Sequence, residues 1–239
     1  MTAIARTVRL LLCAPVAAIL ASCAGAYAPA DPPSGAARDE VASRLADAAE
    51  ALATVGDADD HRIPSHIAER ARCVAVVPAL VNGAFIVGAK HGRGVVTCRT
   101  DEGWSSPAFF TLSGGSAGFE VGVQSVDVVM LVLTEGGKRA FLVPELELGG
   151  DVSASAGPEG RGRATESDAS LRAAIVSYSA SRGLFAGVAL SGAVIRRDPE
   201  ATRAFYGRDE LPSTPLHTAA PADTPAAPFL ARVRAVFGR

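Results

Sequence analysis

The sequence predicts an α+β domain: a small, Gly-rich, antiparallel β-barrel-like core with about three helices packed on its surface. Three observations predict it. Short runs rich in Val, Ile and Phe recur from residue 73 onward, each bounded by Gly, Pro or Asn. Nineteen of the 24 glycines lie between Gly83 and Gly192, and glycine inside strand patterns marks bulges, tight bends and close backbone approach. Apolar residues repeat at three- and four-residue intervals over residues 39–55, the period of a helix with one buried face. Many short strands with such bends favour a closed or strongly curved sheet.

The elements follow in order. Val41, Leu45, Ala48, Leu52 and Val55 form the apolar stripe of the first helix, and Asp39, Glu40, Asp47 and Glu50 its wet face. A shorter helix follows Pro64, through Ile67 to Arg70, with the proline near its first turn. Strands are expected over residues 73–77, 84–87, 94–97, 109–112, 119–123, 126–134, 145–148, 152–156, 174–179 and 184–195. Residues 136–142 predict a short helical connection, and 157–168, rich in glycine and charge, a loop. Residues 199–206 predict a short closing helix. Phe229, Leu230, Val233, Val236 and Phe237 make a last amphipathic stripe.

The amino terminus carries an address. Arg6 and Arg9 precede an apolar stretch over residues 10–20, and small residues follow, the pattern of a secretory signal. The segment ends as Leu20-Ala21-Ser22-Cys23, which resembles a bacterial lipobox, in which the cysteine is lipidated and becomes the first mature residue. Ala24, not Asp, follows, so sorting to an outer membrane facing the periplasm is expected. Each buried methylene of an acyl chain contributes about 0.8 kcal/mol, and two or more chains hold a protein on a bilayer stably. The expected organisation is a signal over residues 1–22, a Pro/Gly tether over 23–37, one folded domain over 38–208, a Pro/Ala-rich linker over 209–228 and a carboxy-terminal helix over 229–239. Of the four cysteines, Cys13 leaves with the signal and Cys23 takes the lipid. Cys73 and Cys98 remain in an oxidising compartment, either as a disulfide or as two buried thiols.

Charge and motifs exclude several classes. The net charge is −2. Split by region, residues 23–60 carry 2 basic and 8 acidic groups, residues 61–207 carry 15 and 14, and residues 208–239 carry 4 and 3. No polybasic block exists of the kind that grips nucleic acid. After residue 22 no stretch approaches the roughly 20 apolar residues of a membrane-spanning helix. Gly114-Gly115-Ser116-Ala117-Gly118 matches G-x-S-x-G, but a nucleophile elbow needs a helix after the serine, and a strand pattern follows instead. His61, His66, His91 and His217 lack metal-ligand spacing, and Gly136-Gly137-Lys138 lacks the rest of a phosphate-binding loop. No cofactor is expected.

One segment, Tyr178-Ser179-Ala180-Ser181-Arg182-Gly183-Leu184-Phe185-Ala186-Gly187-Val188-Ala189-Leu190-Ser191-Gly192, followed by Phe205-Tyr206-Gly207, resembles the signature of the SYLF domain family. Upstream, Ala84 to Gly88, Gly92 to Val96, Gly103 to Ala108 and Ala156-Gly157-Pro158 resemble its other blocks in order. The resemblance covers about residues 40–207, and the overall form is similar to the bacterial lipoprotein branch. It implies a compact barrel-like core with helices on it and a lipid-binding role, with phosphoinositides the ligands of eukaryotic members, some of which bind and bundle actin. No SH3 or FYVE pattern stands in this chain, so trafficking and actin roles are not expected to carry over.

With that role in view, the candidate head-group contacts are basic residues beside Gly-rich turns, whose backbone N–H groups can face phosphate. They are Lys90, His91 and Arg93 in an expected turn over residues 89–94, Arg161 and Arg163 in the loop, and Arg182 before Gly183. The expected function is that of a lipidated envelope protein whose domain binds anionic phospholipid or phosphoinositide head groups without catalysis. A structural or protein-interaction lipoprotein is the alternative, and a serine hydrolase a remote one.

Overall fold

The computed structural model describes residues 33–57, 63–84, 87–117, 122–156, 174–181, 184–187, 190–207 and 214–238. The expected signal, Cys23, the loop over residues 157–168, and Arg161, Arg163 and Arg182 lie outside these residues.

Helix α1 spans Gly35–Asp57. It starts four residues before Asp39, where the periodicity begins, and the Ser34 hydroxyl accepts the Ala37 N–H at 3.2 Å, satisfying one orphan donor of the first turn. Val41, Leu45, Ala48 and Leu52 are buried, as their spacing predicts. Helix α2 spans Ser65–Arg70 and buries Ile67.

Ten strands make one mixed sheet: β1 Cys73–Ala84, β2 Val87–Thr100, β3 Gly103–Trp104, β4 Ala108–Ala117, β5 Gly122–Val132, β6 Glu145–Glu147, β7 Ala154–Ala156, β8 Ile175–Ser181, β9 Leu184–Gly187 and β10 Ala193–Arg197. The main path runs β6-β10-β4-β2-β1-β5-β8-β7, with β3 on β2 and β9 on β8. Every pairing is antiparallel except β7 with β8. The connections force this sheet to curl. β6 and β7 end the path, roughly 34 Å apart if eight strands lay flat at their usual spacing. Residues 148–153 join them and reach at most about 24 Å. They use far less: Leu148 bridges to Val152, and Gly149 N–H donates to Val152 O at 2.8 Å. The sheet is a curled half-barrel whose two end strands this short connection brings toward each other.

Both faces of the half-barrel are buried along one half of its length. The inner face carries Cys73, Ala75, Val77, Val96, Cys98, Phe110, Leu112, Val128, Met130, Val132 and Ile195. The outer face carries Val74, Val76, Val95, Phe109, Val129, Leu131, Val176 and Tyr178 against the helices. Burial on both sides is why residues 73–77 and 128–133 read as unbroken apolar runs rather than alternating ones. Helix α3, Glu135–Ala140, is capped by Thr134, whose Oγ1 accepts from Gly137 N–H. Helix α4, Pro199–Tyr206, starts on Asp198, whose carboxylate accepts from Ala201 N–H, and ends on Gly207 at φ +69°.

Several boundaries differ from those the sequence predicts. In the expected run over residues 84–87, Ala84 ends β1 and Val87 starts β2, and residues 85 and 86 lie outside the described residues. Residues 122–123 of one expected run and 126–132 of the next fall in one strand, β5, and residues 119–121 lie outside the described residues. The run at 184–195 is two strands. β9 folds back on β8, and β10 pairs with β4 and β6, the break falling at Gly192 with φ +76°. From Thr214 the expected linker lies on the domain: a 3₁₀ turn spans Thr214–His217, Leu216 is buried, and Ser106 N–H donates to Thr218 O at 2.9 Å. The carboxy-terminal stripe is helix α5, Ala227–Phe237, with Phe229, Leu230, Val233 and Phe237 buried in the outer core. Arg99 Nη2 and Trp104 Nε1 cap its end, donating to Phe237 O at 2.5 Å and Gly238 O at 2.8 Å.

Glycine on β2 is there for packing. Gly94 pairs with Phe110 of β4, whose ring lies over it, so a Cβ at 94 would overlap the ring. Gly92 faces Val77 and Leu80 in the same way. Gly94→Ala is therefore expected to destabilise the domain by about 1–3 kcal/mol, as overpacking does. A thermal melt equal to that of the parent chain would refute the packing role.

Candidate functional site

The three described candidate residues do not sit in a turn. Lys90, His91 and Arg93 lie inside β2, with Lys90 paired to Asn82 and Gly114, His91 to Val81 and Ser113, and Arg93 to Thr111. This corrects the Gly-rich turn expected over residues 89–94. Gly92 and Gly94 there signal a strand crowded from inside, not a bend. Strand alternation sends the three side chains different ways. Lys90 shares the concave face with Gly92, and is half-buried; His91 and Arg93 share the outer face, and His91 is exposed.

Outward, one register row crosses six strands: Ser125, Val81, His91, Ser113, Val194 and Glu147. Ser125, Val81, His91 and Glu147 are exposed in it, Val81 at 46%. This half of the outer sheet thus presents Ser125, Val81, His91 and the acidic Glu147 to solvent, where the other half is covered by helices.

Arg93 is committed elsewhere. Its Nη1 lies 2.6 Å from Glu40 Oε1 on α1. The same oxygen accepts from Arg44 Nη2 at 2.8 Å, and Arg44 Nη1 donates to Asp198 Oδ2 at 2.9 Å. Arg44 is 5% exposed and lies 5.7 Å from the centre of the Phe109 ring. It ties α1 to the N-cap of α4 across the outer core. The hydrogen bond from Arg44 is the largest cause holding the Glu40 carboxyl below its ordinary value of 4.5; burial opposes it as the next largest, and Arg93 adds to the lowering. A cleft of about 320 Å³ opens beside this network. Its charges are balanced, so it carries no net attraction for an anion. The sequence signal that could have found Arg44 is its i, i+4 spacing from Glu40. Nothing local marks Asp198 as the second partner.

Cys73 and Cys98 are register partners of β1 and β2, wholly buried, and their sulfurs are bonded. Gly114, Gly115 and Ser116 lie inside β4, so the G-x-S-x-G match is strand, not elbow. Among the described residues no group of His, Cys, Asp and Glu could hold a metal ion, and no helix is long and apolar enough to cross a membrane.

The domain is thus a curled sheet with helices over one half of its outer face and the other half bare. Residues 113–235, just over half of the chain, match the family described as "Ysc84: Las17-binding protein actin regulator", and the chain belongs to that family. The chain is 37% identical over 156 residues to SH3 domain-containing YSC84-like protein 1 of Xenopus laevis, covering 64% of this chain and 46% of that protein. It is 39% identical over 152 residues to Protein YSC84 of Saccharomyces cerevisiae, covering 62% and 32%. The human SH3 domain-containing YSC84-like protein 1 is 36% identical over 154 residues, with 63% and 44% covered. The chain thus spans a third to a half of the length of these curated relatives. The resemblance to the SYLF family holds at family level, and the family is one of binding and regulatory domains.

Proposed function

We propose that this chain is a membrane-associated phospholipid-binding domain, processed after residue 22, lipidated on Cys23 and held at the periplasmic face of a bacterial outer membrane. The reading is non-enzymatic. One observation carries it: the bare outer row, where exposed Val81 and His91 lie side by side at the end of the sheet that also holds Lys90. An exposed apolar side chain beside an imidazole, on a face that no helix covers, suits the interface of a bilayer, where burying apolar area favours binding. The first turns of α1 lie beside Arg93, two residues along the strand from His91, so the chain enters the domain near this row. The lipobox-like Leu20-Ala21-Ser22-Cys23 supports the anchor.

Sedimentation with vesicles tests the binding. The unlipidated chain from residue 24 is expected to pellet with phosphatidylglycerol vesicles more than with phosphatidylcholine vesicles, and less so as salt is raised from low to moderate. Equal pelleting with both at low salt overturns the reading. For the anchor, Cys23→Ser is expected to move the expressed protein from the membrane to the soluble fraction; retention on the membrane refutes lipidation.

A second reading rests on the family description. The family is described as a Las17-binding actin regulator, and one yeast relative is named LAS seventeen-binding protein 3, which favours a protein-interaction role for the shared domain. Co-pelleting with filamentous actin without lipid separates the two readings.

A further inference from the structure

The inside of the half-barrel is layered, and its last layer changes character. One row across the concave face is Val126, Leu80, Gly92, Leu112, Ile195 and Leu146, apolar throughout. The next row toward the end of the sheet places Asn82 of β1, Lys90 of β2, Gly114 of β4 and Ala193 of β10 in register. It sets an amide and an ammonium beside two residues almost without side chains. Two features of this row call for a ligand. Asn82 Oδ1 is buried and has no hydrogen-bond partner, which costs stability in any folded protein and is rarely kept without a use. Lys90, next to it, is half-buried and carries no ion pair among the described residues. An orphan acceptor and an unpaired cation, side by side over an apolar floor, complement a group that brings both a hydroxyl donor and an anion.

We propose that this mouth binds a hydroxyl-bearing phosphate ester, its phosphate on Lys90 and a hydroxyl donating to Asn82. Glycerol-phosphate and inositol-phosphate head groups have this chemistry. Phosphatidic acid has the phosphate without the head-group hydroxyl, and phosphatidylcholine carries a bulky cation where the hydroxyl should be. Gly114 and the buried Ala193 pack closely on the far side of the row, which leaves Asn82 and Lys90 as its polar groups, and the apolar row beneath suits the carbon skeleton of the ligand. The proposal rests on the phospholipid reading and deepens it, since it names the site and the class of head group.

The test uses the chain from residue 24 and two vesicle series of equal charge, one with phosphatidylglycerol and one with phosphatidic acid, each in phosphatidylcholine. Phosphatidylglycerol is expected to bind more tightly by at least about threefold, one neutral hydrogen bond being worth that much. Lys90→Met is expected to weaken both by about tenfold, the loss of a charge-assisted contact. Asn82→Leu is expected to erase the preference, leaving binding to phosphatidic acid unchanged and the thermal midpoint no lower, since it removes an orphan acceptor. Soluble glycerophosphoglycerol separates the sources. If it shifts the amide signals of Asn82 and Lys90 in NMR while vesicle binding ignores both variants, the mouth takes a free ester; if the variants act on vesicles, it takes the lipid. Equal binding of the two vesicle series, insensitive to both variants, together with no shift from glycerophosphoglycerol, overturns the mouth site and leaves the lipid reading standing. No preference for either acidic series over pure phosphatidylcholine overturns the lipid reading itself.

Discussion

Loss of the Cys73–Cys98 bond is expected to destabilise the domain by about 3 kcal/mol, a lowering of the thermal midpoint by roughly 10 °C at this chain length. The two residues are 25 positions apart, so the bond closes the whole β1–β2 hairpin and removes that loop's freedom from the unfolded chain. They also sit in the inner core. Both are fully buried among Ala75, Val96, Ala108 and Val132, so the folded state holds the sulfurs in place with or without the bond. The double variant Cys73→Ala, Cys98→Ala is the measurement, because it removes the bond without leaving a charged or bulky group. Its midpoint compared with that of the parent chain, by calorimetry without reductant, gives the effect. Thiol titration of the native parent chain should find neither cysteine free. Two reactive thiols after denaturation without reductant would show that the bond does not form, and an unchanged midpoint in the double variant would show that it does not stabilise. Burial also sets the kinetics. A reductant can reach the bond only through local opening, so reduction under native conditions should be slow and should speed up with denaturant.

What was legible in the sequence follows from which signals are local. The helices were placed well because each announces itself within a few residues: the stripe at Val41, Leu45, Ala48 and Leu52, Pro64 before α2, Asp198-Pro199 before α4. Strands were found but cut wrongly. Where a sheet is buried on both faces, alternation vanishes, and nothing in Gly122 to Val132 marks it as one strand. Glycine misled in the other direction. At Gly92 and Gly94 it reads in the sequence as a bend, yet its role is to admit Leu80 and the Phe110 ring from neighbouring strands, partners that a single strand's sequence cannot name. At Gly192 it does mark a bend, with positive φ. The site suffered most. Lys90, His91 and Arg93 were found as a cluster, but as strand residues they divide between two faces, and the useful neighbour of Lys90 is Asn82, eight positions away across a hairpin. Arg44 was passed over because its second partner lies 154 residues along the chain.

Replacing Arg44 is expected to have the second large effect, about 3 kcal/mol for Arg44→Met. The guanidinium makes charge-assisted hydrogen bonds to Glu40 and Asp198 and lies over the Phe109 ring. Removing one partner of a buried ion pair costs about 3–5 kcal/mol, because the other charge stays behind. Here the cost falls at the low end, for two reasons. Glu40 is 48% exposed on its side chain and regains water, keeping Arg93 as a partner. Arg44 Nε is itself buried without a partner, so its removal also relieves one unsatisfied donor. Asp198 is the group left stranded: its side chain is 13% exposed, and only its capping bond to Ala201 N–H remains. The second variant follows from this. Asp198→Asn keeps the cap and removes the charge, so adding it to Arg44→Met should restore about 1–2 kcal/mol, a coupling that denaturant unfolding of the four chains measures directly. If the double variant is as unstable as the sum of the singles, Arg44 acts by packing alone. The network also sets a pH dependence. Glu40 titrates below its ordinary value in the folded chain, held there first by Arg44. Its contribution is complete above pH 4.5 and is lost as the pH falls through the lowered value. In Arg44→Met that acid-side loss should shrink, because the largest cause of the shift is gone, and a parent and variant that lose stability in parallel below pH 4.5 would refute the coupling.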